Sequence, residues 1–323
     1  MAPPHLPTSP SSIQSHDPTP VQEAPTVRDP DLRATLERIG GHLAAQEDTR
    51  LPTGQAPAVR LPVFPEAARP VVNAMARSAL FAGVQGKDRQ RYYNHLLATI
   101  GGVKMRFTGE QWNQDDHDLL MQMVHMAASA PLGADALLSG HAILQGLGRA
   151  TGGSAHEQLH RDIERLVTGT VTLHNLRRRM VYIGHLVLRA VQHEPTGHWL
   201  VTLNPDLRAL YGPSAYTLVD WEQRLRLRGK DLARWLHLYL ATHVTPFPVK
   251  VVTLHTLSGS RTAALWKFRQ QLRGALADLQ ANGDITTWEI DTQDLVHVER
   301  GAAATDSQRH YLARQQMRRR RTT

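Results

Sequence analysis

The chain has 323 residues, room for about two domains with tails, and no cysteine, which excludes disulfides and thiolate metal sites and suits a reducing compartment. Its formal net charge of +8 is uneven: residues 1–70 hold six Arg against eight acidic residues, whereas residues 301–323 hold six Arg against one Asp, so a polyanionic partner is expected for the core and tail. No apolar run reaches membrane-spanning length and Met1-Ala2-Pro3-Pro4-His5 offers no signal core, so the expectation is a cytoplasmic protein with no membrane partner.

Residues 1–30 are rich in Pro, Ser, Thr and Gln with few apolar anchors, which predicts disorder. Residues 31–45 carry a weak helical pattern (Leu32, Leu36, Ile39, Leu43) interrupted by Gly40-Gly41, and 46–76 read as a proline-punctuated linker. Residues 1–74 are therefore expected to be a disordered or linker arm.

A first domain is predicted over 75–206. Asp115-Asp116-His117-Asp118 puts negative charge at the start of a helix built on Leu119, Leu120, Met123, Val124 and Ala127. After Pro131-Leu132-Gly133, a short helix is capped by Ser139, turns Ile143, Leu144 and Leu147 inward, and stops at Gly148. Ser154-Ala155-His156-Glu157 reads as a capping box. It opens a helix with Ala155, Leu159, Ile163 and Leu166 on one face and Glu157, Arg161, Glu164, Arg165 and Thr168 on the other. Residues 171–176, 180–190 and 198–203 then predict strands joined by basic or glycine turns, forming a β-wing.

The second domain, 207–300, predicts a helix on Leu232, Trp235, Leu236, Tyr239 and Leu240, halted at Thr245-Pro246-Phe247-Pro248. A brief strand, Val249-Lys250-Val251-Val252, follows. Next comes a helix whose stripe is Leu265, Phe268, Leu272, Leu276 and Leu279, ended by Asn282-Gly283 before a last strand. Its far side carries Lys267, Gln270, Arg273 and Gly274, residues suited to base edges and phosphates in a major groove. An ordinary amphipathic helix with a solvated face would read the same way. Trp112, Trp199, Trp221, Trp235 and Trp288 read as core anchors, while Trp266, at the stripe's edge, fits either a core or a stacking role.

The expected fold is α+β: two tandem winged-helix domains behind the arm, with a basic tail at 301–323 ending in Arg318-Arg319-Arg320-Arg321. Thirty-two of the 37 basic residues are Arg, a bias toward bidentate phosphate and guanine contacts. Candidate DNA-facing residues are Ser154, Glu157, Gln158, Arg161 and Arg165, with wing residues Arg177, Arg178 and Arg179. In the second domain they are Ser258, Ser260, Arg261, Lys267, Gln270 and Arg273.

Several segments in this order resemble the TrfA-type replication initiators of broad-host-range plasmids, over about residues 75–300. They include Ala76-Arg77-Ser78-Ala79-Leu80-Phe81, Phe107-Thr108-Gly109-Glu110, Pro131-Leu132-Gly133, Pro246-Phe247-Pro248-Val249-Lys250, Leu279-Gln280-Ala281-Asn282-Gly283 and Asp294-Leu295-Val296-His297. The resemblance implies a protein that binds direct repeats (iterons) in origin duplex DNA, promotes opening of an AT-rich segment, and recruits host DnaA and the replicative helicase. It also implies no nucleotide site of its own, in keeping with the lack of a G-x-x-x-x-G-K-[ST] loop; no cofactor and no enzymatic activity are expected, and a monomer–dimer equilibrium is an open alternative. The family carries a sliding-clamp peptide before its first domain. Arg60-Leu61-Pro62-Val63-Phe64 stands there, with Leu61 and Phe64 as candidate clamp anchors but no leading Gln.

Two rival readings are a winged-helix transcriptional regulator and a zinc metalloprotease. The second rests on His156-Glu157-Gln158-Leu159-His160, which matches H-E-x-x-H. Its position in a first helical turn, with Ile163 and Leu166 where the extended motif has Gly and His, argues against metal chemistry.

Overall fold

The computed structural model describes residues 60–86, 89–176, 179–212, 214–243 and 246–300, all within one compact unit spanning 57–323. The elements run β1 (Ala68–Val72), α1 (Asn73–Ala76), β2 (Phe81–Ala82), β3 (Arg91–Leu97), β4 (Val103–Glu110), β5 (Trp112–Asn113), α2 (Gln114–Ala127), β6 (Asp135–Ser139), α3 (Gly140–Gly146) and α4 (Gly153–Thr168). They continue β7 (Thr170–Asn175), β8 (Met180–His185), β9 (Val187–His193), β10 (His198–Leu203), α5 (Leu207–Leu210), β11 (Tyr216–Asp220), α6 (Trp221–Arg226) and α7 (Asp231–Ala241). The chain closes with β12 (Val249–Lys250), α8 (Val251–Leu257), α9 (Leu265–Ala281), β13 (Ile285–Ile290) and β14 (Leu295–Arg300). It is a mixed α and β fold.

Helix α2 is the centre of the first half. Asn113 caps it by accepting from the amides of Asp115 (3.0 Å) and Asp116 (3.3 Å), while Asp116 accepts from the Asn113 amide at 2.8 Å. Leu119, Leu120, Met123, Val124 and Ala127 are buried as their spacing requires, but so are Asp116, His117, Asp118 and Gln122. A helix buried on every side must satisfy those polar groups internally. Asp118 does so with two guanidinium groups from the second half: Arg224 of α6 at 2.7–2.8 Å and Arg234 of α7 at 2.5 Å. Arg234 also reaches Asp115 (2.7 Å) and Asp231 (2.8 Å), and Arg224 reaches the Gln114 amide oxygen at 2.7 Å.

Two apolar cores flank this cluster. The first holds α2, α3, α4 and the strands around them, extends through Leu207, Leu210, Tyr211, Val219 and Trp221, and takes Leu238 and Ala241 from α7. The second runs from Leu227 through α7, α8 and α9 to Ile285 and Val296, with Trp235 and Tyr239 stacked at 5.1 Å. The division expected at residue 206 therefore falls later, because β11 returns to pair with β1 (Ala68 opposite Asp220) and carries 207–226 into the first core. Helix α7 serves both.

The first half contains two main sheets. One is four-stranded, in the order β3-β4-β7-β8, and one is three-stranded, β6-β10-β9. Residues 180–190 are thus not one strand: the chain breaks at Leu186, leaving β8 in one sheet and β9 in the other. Strands β3 and β4 are additions to the sequence expectation; β4 shows the period-2 code plainly, with Met105 and Phe107 inward and Lys104 and Arg106 outward. Gly169, between α4 and β7, lies so close to the Trp112 indole that a Cβ there would fall 2.2 Å from the ring.

Three further expectations are corrected. The linker does not continue to residue 76: β1 is paired, and Leu61 and Phe64 are core residues, with Phe64 packed on Tyr211 (6.4 Å) and Tyr216 (5.9 Å). The arm and tail at 1–59 and 301–323 lie outside the described residues. The β-branched composition of 249–252 predicts a strand throughout, yet only Val249–Lys250 pairs. Val251 begins α8, whose buried Val251, Leu254 and Leu257 follow a helical period. Finally, Gly152 rather than Ser154 is the N-cap of α4, and no Ser154–Glu157 capping box forms because the helix starts one residue before Ser154.

The Asp118 cluster gives the first expectation. Asp118→Asn leaves two buried guanidinium groups short of a counter-charge and should lower unfolding free energy by about 3–5 kcal/mol; a loss below about 1 kcal/mol in chemical denaturation would refute the assignment. His117 gives the second. Burial, with Arg224 nearby, pushes its imidazole down to about 3, and its ring stacks on Phe81 at 4.0 Å. Below pH 6.5 the unfolded chain gains a proton that the native chain refuses until about pH 3, so stability falls with pH across that window by about 1.4 kcal/mol per unit. Denaturation curves between pH 6 and 4.5 should show that slope reduced by this amount in His117→Gln.

Candidate nucleic-acid interface

The two long helices that end in hairpins, α4 and α9, present different surfaces. On α4, Ser154, Glu157, Gln158 and Arg161 are exposed along one side. Arg161 donates to the Gln158 oxygen at 2.9 Å, and the Gln158 amide donates to Asp162 at 2.7 Å, so this polar row is tied to the interior. Arg165 does not belong to it. Its side chain is only 9% exposed and donates to Asp116 (2.8 and 3.0 Å) and Asp162 (2.5 Å). The physical reason is Asp116, a fully buried carboxylate that needs cations, and it receives Arg165 together with Arg89 at 2.6 Å. Arg149 completes the network on Asp162 at 2.7 Å.

Of the expected wing cations only Arg179 is described. It lies just before β8, which belongs to the four-stranded sheet, whereas the hairpin that closes on β6 is β9–β10, turning at residues 194–197. Arg177 and Arg178 lie outside the described residues; Arg179 is exposed, with a φ of +50°. Sequence reading missed Lys104 and Arg106, which are exposed on this sheet, although the alternation of β4 would have found them.

The H-E-x-x-H side chains do not converge. His156 is half-buried, His160 bonds Gln192 at 3.1 Å and leans on Trp199, and Glu157 is exposed. Among the described residues no three His, Asp or Glu side chains form a metal-binding cluster.

Helix α9 carries the clearer exposed polar face. Phe268, Leu272, Ala275, Leu276 and Leu279 are buried, which turns Lys267, Gln270, Arg273 and Gly274 to solvent. The side chains of Lys267, Gln270 and Arg273 make no hydrogen bond or ion pair within the described residues. A Cβ on Gly274 would touch nothing within 4 Å, so packing inside the chain does not demand a glycine there. Between them and the buried stripe, Arg269 forms a two-pronged pair with Asp294 (2.8 Å for the Nε bond), fastening the β13–β14 turn to α9. Each partner stabilises the other's charged form: Asp294 lies below the usual carboxylate range through the Arg269 hydrogen bond.

In the loop before α9, Arg261 is exposed and Ser260 is half-buried, its hydroxyl accepting from the Thr262 amide at 3.3 Å. Ser258 is fully buried and cannot face DNA. Its hydroxyl donates to the His255 carbonyl at 3.0 Å, and its own carbonyl accepts from the Gly83 amide at 2.8 Å. Leu61 and Phe64, the candidate clamp anchors, are both committed to the first core in this structure, while Pro62 and Val63 between them are exposed.

Comparison with known proteins supplies the lineage. The family model described as TrfA protein matches residues 51–300. A relative from Escherichia coli, plasmid replication initiator protein TrfA, is 26% identical over 249 residues, covering 73% of this chain and 63% of the relative; the chain thus spans less than two thirds of that relative's length. Among solved structures, domains 2 and 3 of RctB align with a TM-score of 0.45 and 12% identity, covering 67% of this chain and 94% of that one. A Pi initiator protein in complex with iteron DNA aligns with a TM-score of 0.43 and 12% identity, covering 62% of this chain and 99% of that one. On the family match across most of its length, the chain belongs to the TrfA protein family.

Proposed function

We propose that this chain is a plasmid replication initiator that binds direct repeats in duplex origin DNA through α4 and α9. The observation that carries the reading is the row Lys267, Gln270 and Arg273 on α9, exposed and without internal partners, in a chain of the TrfA family. Cations without internal partners remain available for phosphate, and an amide at that spacing suits adenine.

The strand pairings support a winged-helix reading of both modules. In the first, β6 lies between α2 and α3 and pairs with β10 of the hairpin after α4; in the second, β12 lies between α7 and α8 and pairs with β14 of the hairpin after α9. A strand between the first two helices that closes on a terminal hairpin is the wing arrangement, with α4 and α9 in the recognition position. The β7–β8 hairpin is then an insertion into the first wing. Ser154, Glu157, Gln158 and Arg161 would face one part of the repeat, and Ser260, Arg261, Lys267, Gln270 and Arg273 another. Origin opening and the recruitment of host DnaA and helicase follow from the family reading. ATP-driven steps belong to the host proteins.

Quantitative binding to repeat and scrambled duplexes tests this. Affinity for the repeat should exceed that for the scrambled duplex and fall with salt at about 0.9 log units per log unit for each phosphate neutralised. Gln270→Ala should cost about 1–3 kcal/mol on the repeat and relax preference at one base position. Equal binding to both duplexes, or a Gln270→Ala variant indistinguishable from the parent on every single-base variant, would sink the reading. A paired comparison separates surface from interior on α4. Arg161→Ala should melt like the parent yet bind the repeat more weakly, whereas Arg165→Ala should lose roughly 3 kcal/mol of stability because Asp116 and Asp162 are left under-neutralised. Identical melting of the two variants would contradict that division.

A further inference from the structure

Five of the six tryptophans are held by the chain itself: Trp112, Trp199, Trp221 and Trp235 are buried, and Trp288 is half-buried with its indole NH on the Gln280 oxygen at 3.1 Å. Trp266 is the exception, 67% exposed on the first turn of α9, with no aromatic partner and no hydrogen bond from its indole nitrogen within the described residues. An indole is among the largest apolar surfaces a side chain can leave in water, and a single exposed one at this position has no packing cause in the fold.

Its place along α9 is specific. Trp266 stands one turn before Gln270, with Lys267 beside it, at the end of the helix nearest the Ala264 cap. The N-terminal residues of a recognition helix are those that meet base edges. Four residues of helix rise about 6 Å, roughly two base-pair steps, so these two side chains would address neighbouring positions of one groove. Apart from hydrogen-bonding groups, the major groove offers one apolar feature, the thymine C5-methyl, and an aromatic face is a fitting receiver for it.

We propose that Trp266 is a specificity-determining residue that reads a thymine methyl within one or two base pairs of the position read by Gln270. The inference rests on the proposed duplex-binding role of α9 and assigns it a direct apolar contact. Lys267 and Arg273 supply attraction to any duplex; Trp266 distinguishes thymine from the other bases by a methyl group that cytosine and the purines lack.

The test uses the full chain and a set of repeat duplexes in which each thymine in turn is replaced by deoxyuridine, which removes the methyl and leaves the hydrogen-bonding edge intact. Binding of the parent should fall about fourfold at one thymine, the effect of leaving one methyl unburied. Trp266→Ala should bind the natural repeat more weakly and show no loss at that position, while Trp266→Phe should retain part of it. Because the side chain is exposed, both variants should melt like the parent. If Trp266→Ala loses the same factor on every duplex and keeps the parent's response to deoxyuridine, or if the parent shows no thymine response, the assignment to Trp266 is overturned while repeat binding stands. Equal affinity of the parent for repeat and scrambled duplex would overturn the repeat-binding reading itself, and this inference with it.

Discussion

A single buried carboxylate organises the described part of the chain. Asp118 lies on the first half's central helix, and both of its guanidinium partners, Arg224 and Arg234, come from the second half. Burial alone would favour the neutral acid, but the two cations hold it ionised, down to about 2. Each ion by itself would be far too costly to bury; together, with Gln114, Asp115 and Asp231 accepting further guanidinium N–H groups, they satisfy all but the Arg234 Nε. The geometry of every surface on α4 and α9 depends on this joint, because α2 supports α4 on one side and α7 supports α9 on the other.

The same accounting changes how the basic composition is understood. Arg69 donates to Gln122 at 2.7 Å and stacks over Trp221, while Arg89, Arg149, Arg165, Arg224 and Arg234 all serve internal carboxylates. Much of the arginine excess is therefore structural. The guanidinium suits that use for the reason it suits phosphate: a rigid fork of donors that satisfies a carboxylate at two points and remains charged when desolvated. Among the described residues, the cations left exposed for a polyanion include Lys267 and Arg273 on α9, Lys104 and Arg106 on β4, and Arg161 on α4.

The apolar periodicities of α2, α4, α7 and α9 were legible in the sequence because each stripe is long enough to repeat. The glycine stops at Gly148 and Gly283 were legible because their φ values of +62° and +85° favour a residue without a side chain. Three features were hidden for definite reasons. Helix α8 spans only two turns and is rich in β-branched residues, so composition favoured a strand. The membership of β8 and β9 in different sheets depends on long-range pairing that no local pattern encodes. Arg165 occupies the boundary of the α4 stripe, and only a partner 49 residues away, Asp116, decides that it turns inward. On α9 the side chains of Lys267, Gln270 and Arg273 form no hydrogen bond or ion pair within the described residues, and the helical period alone placed them outward.

The halves meet at more than the ion cluster. The Trp235 indole donates to the Ser78 carbonyl at 3.2 Å, the Gly83 amide reaches Ser258, and a Cβ on Gly83 would sit 3.0 Å from Trp235 Cβ. On another side, Asn282 accepts from Arg226 at 2.9 Å and donates to the Gln223 carbonyl at 3.0 Å. A hinge needs one axis about which everything else is free to turn, and attachments at separated points on different elements leave none. The distance and phase between α4 and α9 are consequently properties of the protein. Under the proposed function, a base pair inserted between the segments that the two helices would address must be absorbed by twisting or bending the duplex, so tolerance to such insertions would report the stiffness of the DNA.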